Sequence, residues 1–309
     1  MNEHPLMLEG WLKFNEYKWG FKSQRLKLSI SDNGPKLETV IYIDKKGRIR
    51  MPRLNPYLPI VFYPTSTNVP FKLRYQWLSV SKLLVDEFNK RGLGNTIVLS
   101  PEITDVRSWQ WEGFLADPRY TFYLNLPINF SEVDYSVKKN LNKAKSNNFY
   151  IQRDYNFEAV IECLSDTEDR QDFDYGLTKN DLELALKLLG EENLRCYIVF
   201  SPDGEPASAR IVLKGNNGLA IDWVAGTKRK FLKYGVSDYI VKFALEDLAN
   251  VGVRVFDYCG ANLPTVQNAK SRWGGELKVF YAIRALNIRT FLVFGLTWFK
   301  SHRRNFWRL

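Results

Sequence analysis

Between residues 195 and 284 short apolar runs alternate with turn signals. "RCYIVF" (195–200) is an apolar run, Asp203-Gly204 a hairpin turn, "ASARIVL" (207–213) a strand, "KGNNG" another turn and "LAIDWVAG" (219–226) a third strand. This order predicts an antiparallel meander. The polar stretch "TKRKFLKYG" follows, and then Val236, Tyr239, Ile240, Phe243, Ala244 and Leu248 recur at helical spacing until Gly252. "VRVFDY" (253–258) reads as a strand broken by Gly260, and "ELKVFYAIR" (276–284) as a last strand. Upstream, Thr178 with Asp181 forms a capping box for a helix through Leu188.

The first half carries a cruder version of the same order. "PIVFYPT" (59–65) is strand-like, and Trp77, Val80, Leu84 and Phe88 share one helical face that "GLG" ends. "TIVLS" and "YTFYLNL" read as further strands. Strand, helix, glycine and strand thus recur in both halves, which suggests two similar domains side by side. The expected junction lies near residue 130, where Ser131 can cap a helix with Val133, Val137, Leu141 and Ala144 on one face. Lys138, Lys139, Lys143 and Lys145 lie around its other faces.

Composition narrows the chemistry. The chain has 309 residues, enough for two ordinary domains, with 45% hydrophobic and 25% charged residues. Its net charge of +10 favours phosphate-bearing or polyanionic partners such as RNA, nucleotide-linked substrates or an anionic membrane face. Three cysteines, Cys163, Cys196 and Cys259, have no metal-ligand spacing, and His4 and His302 are the two histidines. A zinc site or a Ser-His-Asp triad is therefore not expected, nor is a tightly bound cofactor. The first residues do not read as a signal peptide and no segment reaches transmembrane length, so the expected location is the reducing cytoplasm. The C-terminal "FLVFGLTWFKSHRRNFWRL" has the composition of an interfacial segment on an anionic membrane, at the inner face of the plasma membrane, or of a terminal helix packed on its domain.

The stretch from "IDWVAG" through "FDYCG", with its glycine-bearing loop, helix and Asp-x-x-Gly strand, and the segment "NAKSRWGGEL", with Lys-x-x-Trp-Gly-Gly, resemble the FemAB-like peptidyltransferases of bacterial cell-wall assembly. These are built from paired GNAT acyltransferase folds. The resemblance implies an α/β (α+β) chain of two tandem GNAT-like domains with mixed, mostly antiparallel sheets flanked by helices. Residues 1–130 would form a degenerate N-terminal domain, and residues 131–309 the acyltransferase domain with its basic aromatic tail. The implied activity is N-acyl transfer, an aminoacyl or acyl group moving to an amine of a peptidoglycan or surface-polysaccharide precursor. The donor is aminoacyl-tRNA or acyl-CoA. Alternatives are a CoA-dependent N-acetyltransferase acting on an amino sugar or other amine, and a non-catalytic RNA- or membrane-binding module.

Two departures from the family pattern bear on the donor. Ala269 stands where an aromatic usually precedes the lysine, and the phosphate loop keeps Gly235 but has Leu232 and Ser237 at its flanking positions. A glycine opening a helix still leaves outward-pointing N–H groups where phosphates dock. Lys228, Arg229, Lys230 and Lys233, with Tyr234, Gly235 and Ser237, are therefore the candidate donor-binding residues, set against a merely solvated basic loop. Lys270 is the candidate catalytic residue. Acyl transfer to an amine passes through an oxyanion that a fixed cation stabilises, and the resemblance implies this role at the matching lysine. Asp257 is a second catalytic candidate as a general base, or else a loop holder through backbone N–H bonds. Cys259 reads as a buried small residue. Arg210, Lys138, Lys139, Asp222 and Trp273 are the candidates for binding the acceptor and its phosphates.

Overall fold

The computed structural model describes residues 3–285, so the aromatic and basic C-terminal tail lies outside the described residues. The chain runs α1 (Glu9–Trp19), β1 (Lys22–Ser29), β2 (Lys36–Ile43), β3 (Ile49–Arg50), β4 (Ile60–Tyr63), α2 (Pro70–Arg91), β5 (Ile97–Val98), α3 (Arg107–Trp111) and β6 (Phe114–Asn125). It continues as α4 (Tyr135–Ser146), β7 (Tyr150–Arg153), α5 (Phe157–Gln171), α6 (Lys179–Asn193), β8 (Leu194–Phe200), β9 (Pro206–Lys214) and β10 (Leu219–Thr227). α7 (Val236–Asn250), β11 (Val255–Asp257), α8 (Pro264–Ser271) and β12 (Glu276–Ala285) complete it. The mixed α/β class with mostly antiparallel strands is the one expected from the sequence. Among the described residues no helix is long and apolar enough to cross a membrane.

Contacts divide the described residues into two compact units, one of residues 3–20, 52–56 and 119–279, the other of 21–51, 57–118 and 280–285. A single junction near residue 130 does not describe this division, because that position falls inside the first unit. The physical reason is the packing of α1. Trp11 and Phe14 meet the ring of Trp223 on β10 at centroid distances of 5.2 and 5.6 Å, and the Trp11 indole donates to Asn55 Oδ1 at 2.7 Å. Lys18 pairs with Asp181 of α6 at 2.6 Å, and Gly10 lies so close to α6 that a Cβ there would stand 2.2 Å from the Leu188 carbonyl oxygen.

In the first unit β8, β9 and β10 form the expected antiparallel meander, β7 adds antiparallel to β8, β11 pairs parallel with β10, and the end of β6 pairs antiparallel with β11. β8 is buried along its whole length and β9 and β10 along nearly all of theirs, because helices cover both faces. On one side α5 presses Cys163 so tightly on Gly226 that a Cβ would meet the Cys163 oxygen at 2.3 Å. On the other, Val236, Ile240, Ala244 and Leu248 of α7 join Val137 and Leu141 of α4 in one core. The cap of α4 is Asp134, whose carboxylate accepts from Ser136 N, and not Ser131. Ser131 instead turns both its N–H and its hydroxyl to Asn129 Oδ1. The Thr178–Asp181 capping box forms as expected.

In the second unit β2 is central, paired antiparallel with β1, β3 and β4. α2 lays Trp77, Val80, Leu84 and Phe88, the face legible in the sequence, against a core with Ile41, Leu99 and Trp109. β5 then pairs antiparallel with the end of β12.

Gly10→Ala should lower stability by about 1–3 kcal/mol, the usual cost of overpacking a tight contact. The check is the urea midpoint with an unchanged m-value.

Candidate functional site

The parallel pairing of β10 with β11 is brief: Leu219↔Val255, Ala220↔Phe256 and Ile221↔Asp257. β10 then bulges between Asp222 and Val224 and stays with β9 as far as Thr227↔Ser208. The chain after β11 stays with β6 instead, where Tyr258 N donates to the Phe122 carbonyl at 2.9 Å and Ala261 N to the Tyr120 carbonyl at 2.6 Å. The two strands therefore part at Asp222 and Tyr258. A crevice beyond the carboxyl ends of parallel strands, where neighbours diverge, is where open α/β sheets bind ligands.

Asp257 shapes the parting. Its Oδ1 accepts from the Thr121 hydroxyl at 2.7 Å and from Cys259 N at 2.9 Å, an Asx-type turn inside a residue that is 1% exposed. Those observed bonds are those of a loop anchor. Cys259, half-buried and not the buried filler expected, takes the left-handed φ of 43°, and Gly260 follows at 68°. This turn aims the carbonyls of Tyr258 and Cys259 at one point.

Lys270 fills that point. It comes from α8, which opens with Pro264 at its first turn, and its ammonium donates to both carbonyls. An ammonium has three N–H groups, so one remains for another partner. Nζ also lies 4.8 Å from the Tyr258 ring centroid, and the Arg210 guanidinium lies 5.4 Å from the same ring. Burial pushes the Lys270 pKa below its ordinary 10.5, against the opposing pull of the Asp222 carboxylate. Burial likewise raises the Tyr258 phenol.

Arg210, on β9, pairs with Asp222 at 2.5 Å, both side chains under a tenth exposed. Trp273, 1% exposed, donates from its indole to Asp238 Oδ1 at 3.3 Å. Asp238 in turn accepts from Asn140 Nδ2 at 2.6 Å and has Arg272 at 3.8 Å. Of the residues expected from the sequence, Lys270, Asp257, Arg210 and Asp222 thus gather around Tyr258. Trp273 stands one turn beyond Lys270. Tyr258, Asp238, Asn140 and Arg272 were missed; only Tyr258, inside "FDYCG", had a local signal.

The candidate donor loop forms a 3-10 turn over Arg229–Tyr234. Lys228 is held by Glu162 at 2.7 Å and Glu205 at 3.1 Å, and Lys230 by Glu205 at 2.5 Å. Arg229 and Lys233 are exposed, with Lys233 Nζ 5.0 Å from the Tyr234 ring, and Ser237 Oγ donates to Thr227 Oγ1 at 3.1 Å. Gly235 has φ 77° and backs onto α4, where a Cβ would stand 2.5 Å from the Asn140 oxygen. The start of α7 is therefore covered by Asn140 and already carries the Asp238 carboxylate in its first turn. Lys138 and Lys139 lie on α4, the first half-buried and the second exposed.

Residues 135–265 match the family described as acetyltransferase (GNAT) domain. Among solved structures, FemX has 12% identity over 94% of this chain and 94% of its own, with a TM-score of 0.64. The C-terminal domain (DUF2156) of a putative lysylphosphatidylglycerol synthetase from Agrobacterium fabrum has 9% identity, covers 88% and 87%, and gives 0.57. The structure of L-PGS from Bacillus licheniformis has 10% identity, covers 91% and 94%, and gives 0.55. At these identities the likeness is one of fold. No curated protein matches the sequence.

Because the folded pKa of Lys270 lies below its unfolded value, its desolvation penalty acts in full below the folded pKa and is relieved as pH rises towards 10.5. NMR of 13C-methylated lysines should show one resonance titrating below the rest, absent from Lys270→Arg.

Proposed function

We propose that this chain, which shares the fold of FemX and matches a GNAT acetyltransferase domain over residues 135–265, transfers an aminoacyl group from aminoacyl-tRNA to an amine of a cell-envelope precursor. The observation that carries this reading is the Lys270 ammonium, anchored by two carbonyls where β10 and β11 part, with one N–H to spare. The acceptor amine attacks the ester carbonyl carbon. A C–N bond forms, the C–O bond to the ribose breaks, and a proton from the amine ends on the departing ribose oxygen. The third N–H of Lys270 faces the oxyanion that develops between those events, and its two anchors spare the ammonium any reorganisation at that moment. Asp257 supports the reaction by fixing the turn that presents both anchors.

The closed start of α7 supports tRNA as donor. A diphosphate seeking the helix N-terminus meets Asn140 and the Asp238 carboxylate there, and Lys228 and Lys230 are already neutralised by Glu162 and Glu205. The likeness to a synthetase of lysylphosphatidylglycerol, a lipid bearing a lysyl group, supports aminoacyl transfer, and the FemAB-like fold supports a wall or surface-glycan acceptor. Arg210 and Asp222 serve at the reacting centre, while exposed Lys139 and the neighbouring Lys138 are left to reach the acceptor's phosphates. A tRNA donor places the reaction in the cytoplasm. A second reading, acyl-CoA as donor, is favoured by the retained left-handed turn at Gly235.

Transfer assays with labelled aminoacyl-tRNA and labelled acetyl-CoA, scored by mass spectrometry of envelope precursors, decide between the donors. Transfer from acetyl-CoA alone would overturn the aminoacyl reading. Lys270→Met should lower kcat about a hundredfold, since one oxyanion contact is worth roughly 2.7–4 kcal/mol, with the thermal melt unchanged in shape. Near-normal turnover would return Lys270 to a structural role.

tRNA binding should weaken with salt. Replacing Lys228, Arg229 and Lys230 together by Gln should flatten the log–log slope by about one unit, because only Arg229 among them lacks a carboxylate at its side chain.

A further inference from the structure

The buried Arg210–Asp222 pair is incompletely satisfied. Asp222 Oδ1 and Arg210 Nε are both closed to water and have no hydrogen-bond partner among the described residues, although Asp222 Oδ2 takes the guanidinium Nη1. A buried carboxylate oxygen and a guanidinium N–H left bare in one ion pair are costly, and a fold that keeps them needs a reason. They stand at the parting of β10 and β11, with Arg210 and Lys270 both over the Tyr258 ring. One bare acceptor and one bare donor within one ion pair suit one ligand fragment: an amino group and a carbonyl on adjacent carbons.

Resting on the aminoacyl reading above, we infer that Asp222 and Arg210 are the donor-selecting residues, Asp222 Oδ1 accepting from the α-amino group of the aminoacyl unit and Arg210 Nε donating to its carbonyl oxygen. Lys270 then meets the same carbonyl oxygen with its third N–H. An acyl group without an α-amine leaves Asp222 Oδ1 bare, and a site built to bond an N–H rejects the analogue lacking it for that reason. The charges present tolerate the ligand. Arg210, Lys270 and Arg272 face Asp222, Asp257 and Asp238 around Tyr258, so an amino group enters a balanced cluster.

The loop between α5 and α6 lies beside this pair. Tyr175 of that loop donates its hydroxyl to the carbonyl of Ala225, three residues beyond Asp222 on β10. Its phenol is pushed up to about 12 by burial and then by the Asp222 charge. The loop is also held by Phe173 N and Tyr175 N on Glu168, at 3.3 and 2.6 Å, by the Phe173–Tyr175 ring contact and by an exposed pair of Arg53 with Asp174 at 3.5 Å.

The test uses the full chain and a panel of 3′-amides of 3′-amino-3′-deoxyadenosine, each carrying an amino acid, beside its des-amino counterpart. Titration calorimetry should show the aminoacyl members binding about 10–100-fold more tightly than their counterparts. In Asp222→Asn that ratio should collapse towards one. Because Asn there strands the Arg210 charge, the paired variant Arg210→Gln with Asp222→Asn serves where the single variant does not fold, and it too should lose the ratio. Equal binding of both members to the wild type, or a ratio kept in the variants, overturns the selection role while leaving aminoacyl transfer standing. Binding of no member, together with acetyl transfer from acetyl-CoA, removes the aminoacyl reading itself.

Discussion

The site depends on a shortage of strand partners. Where β10 leaves with β9 and the chain after β11 leaves with β6, the carbonyls of Tyr258 and Cys259 face a gap with no neighbouring strand, and buried backbone oxygens must find donors. The left-handed turn at Cys259 brings the two together, Asp257 and Thr121 hold that turn, and a lysine returning on α8 answers both. Remove the parting of the strands and Lys270 loses its two carbonyl partners and its reason to be buried. The same shortage that would weaken an ordinary sheet here creates the fixed cation.

Electrostatic balance keeps such a cluster folded. Arg210 gains Asp222, Arg272 gains Asp238, and the Arg210 and Lys270 cations each also lie over the Tyr258 ring. Because burying ions costs more than pairing returns unless remaining lone pairs and N–H groups are met, the completeness of the network matters residue by residue. Asp238 is served by both Trp273 and Asn140, whereas Asp222 is served on one oxygen alone. The first arrangement locks α4, α7 and α8 together. The second keeps bonding capacity in reserve.

Much of this was legible from residue order. Apolar runs between turn signals marked the meander, the i, i+3, i+4 spacing marked α2 and α7, and Asp-x-x-Gly with Lys-x-x-Trp-Gly-Gly marked the two loops that meet at Lys270. What escaped was long-range. Nothing local in "TKRKFLKYG" reveals that Glu162 and Glu205 reach Lys228 from elsewhere in the chain, so a neutralised loop read as a basic one. Asn140 sits in an unremarkable helix, and its closeness to Gly235 follows only from how α4 meets α7. The unit boundaries escaped for the same cause: α1 looks like the start of a first domain until Trp223 and α6 are seen to require it.

That last arrangement governs how the chain comes into being during synthesis. Lys18 waits for Asp181, a separation of 163 residues, and the Trp223 indole bonds back to the Leu54 carbonyl across 169. Contacts so distant in sequence fold slowly, because the loop must close before any reward is collected. Until residues near 223 have left the ribosome, Trp11 and Phe14 of α1 lack the Trp223 ring that meets them both. The nascent chain therefore carries an exposed aromatic surface through much of its translation, a load that falls on chaperones and not on the finished enzyme.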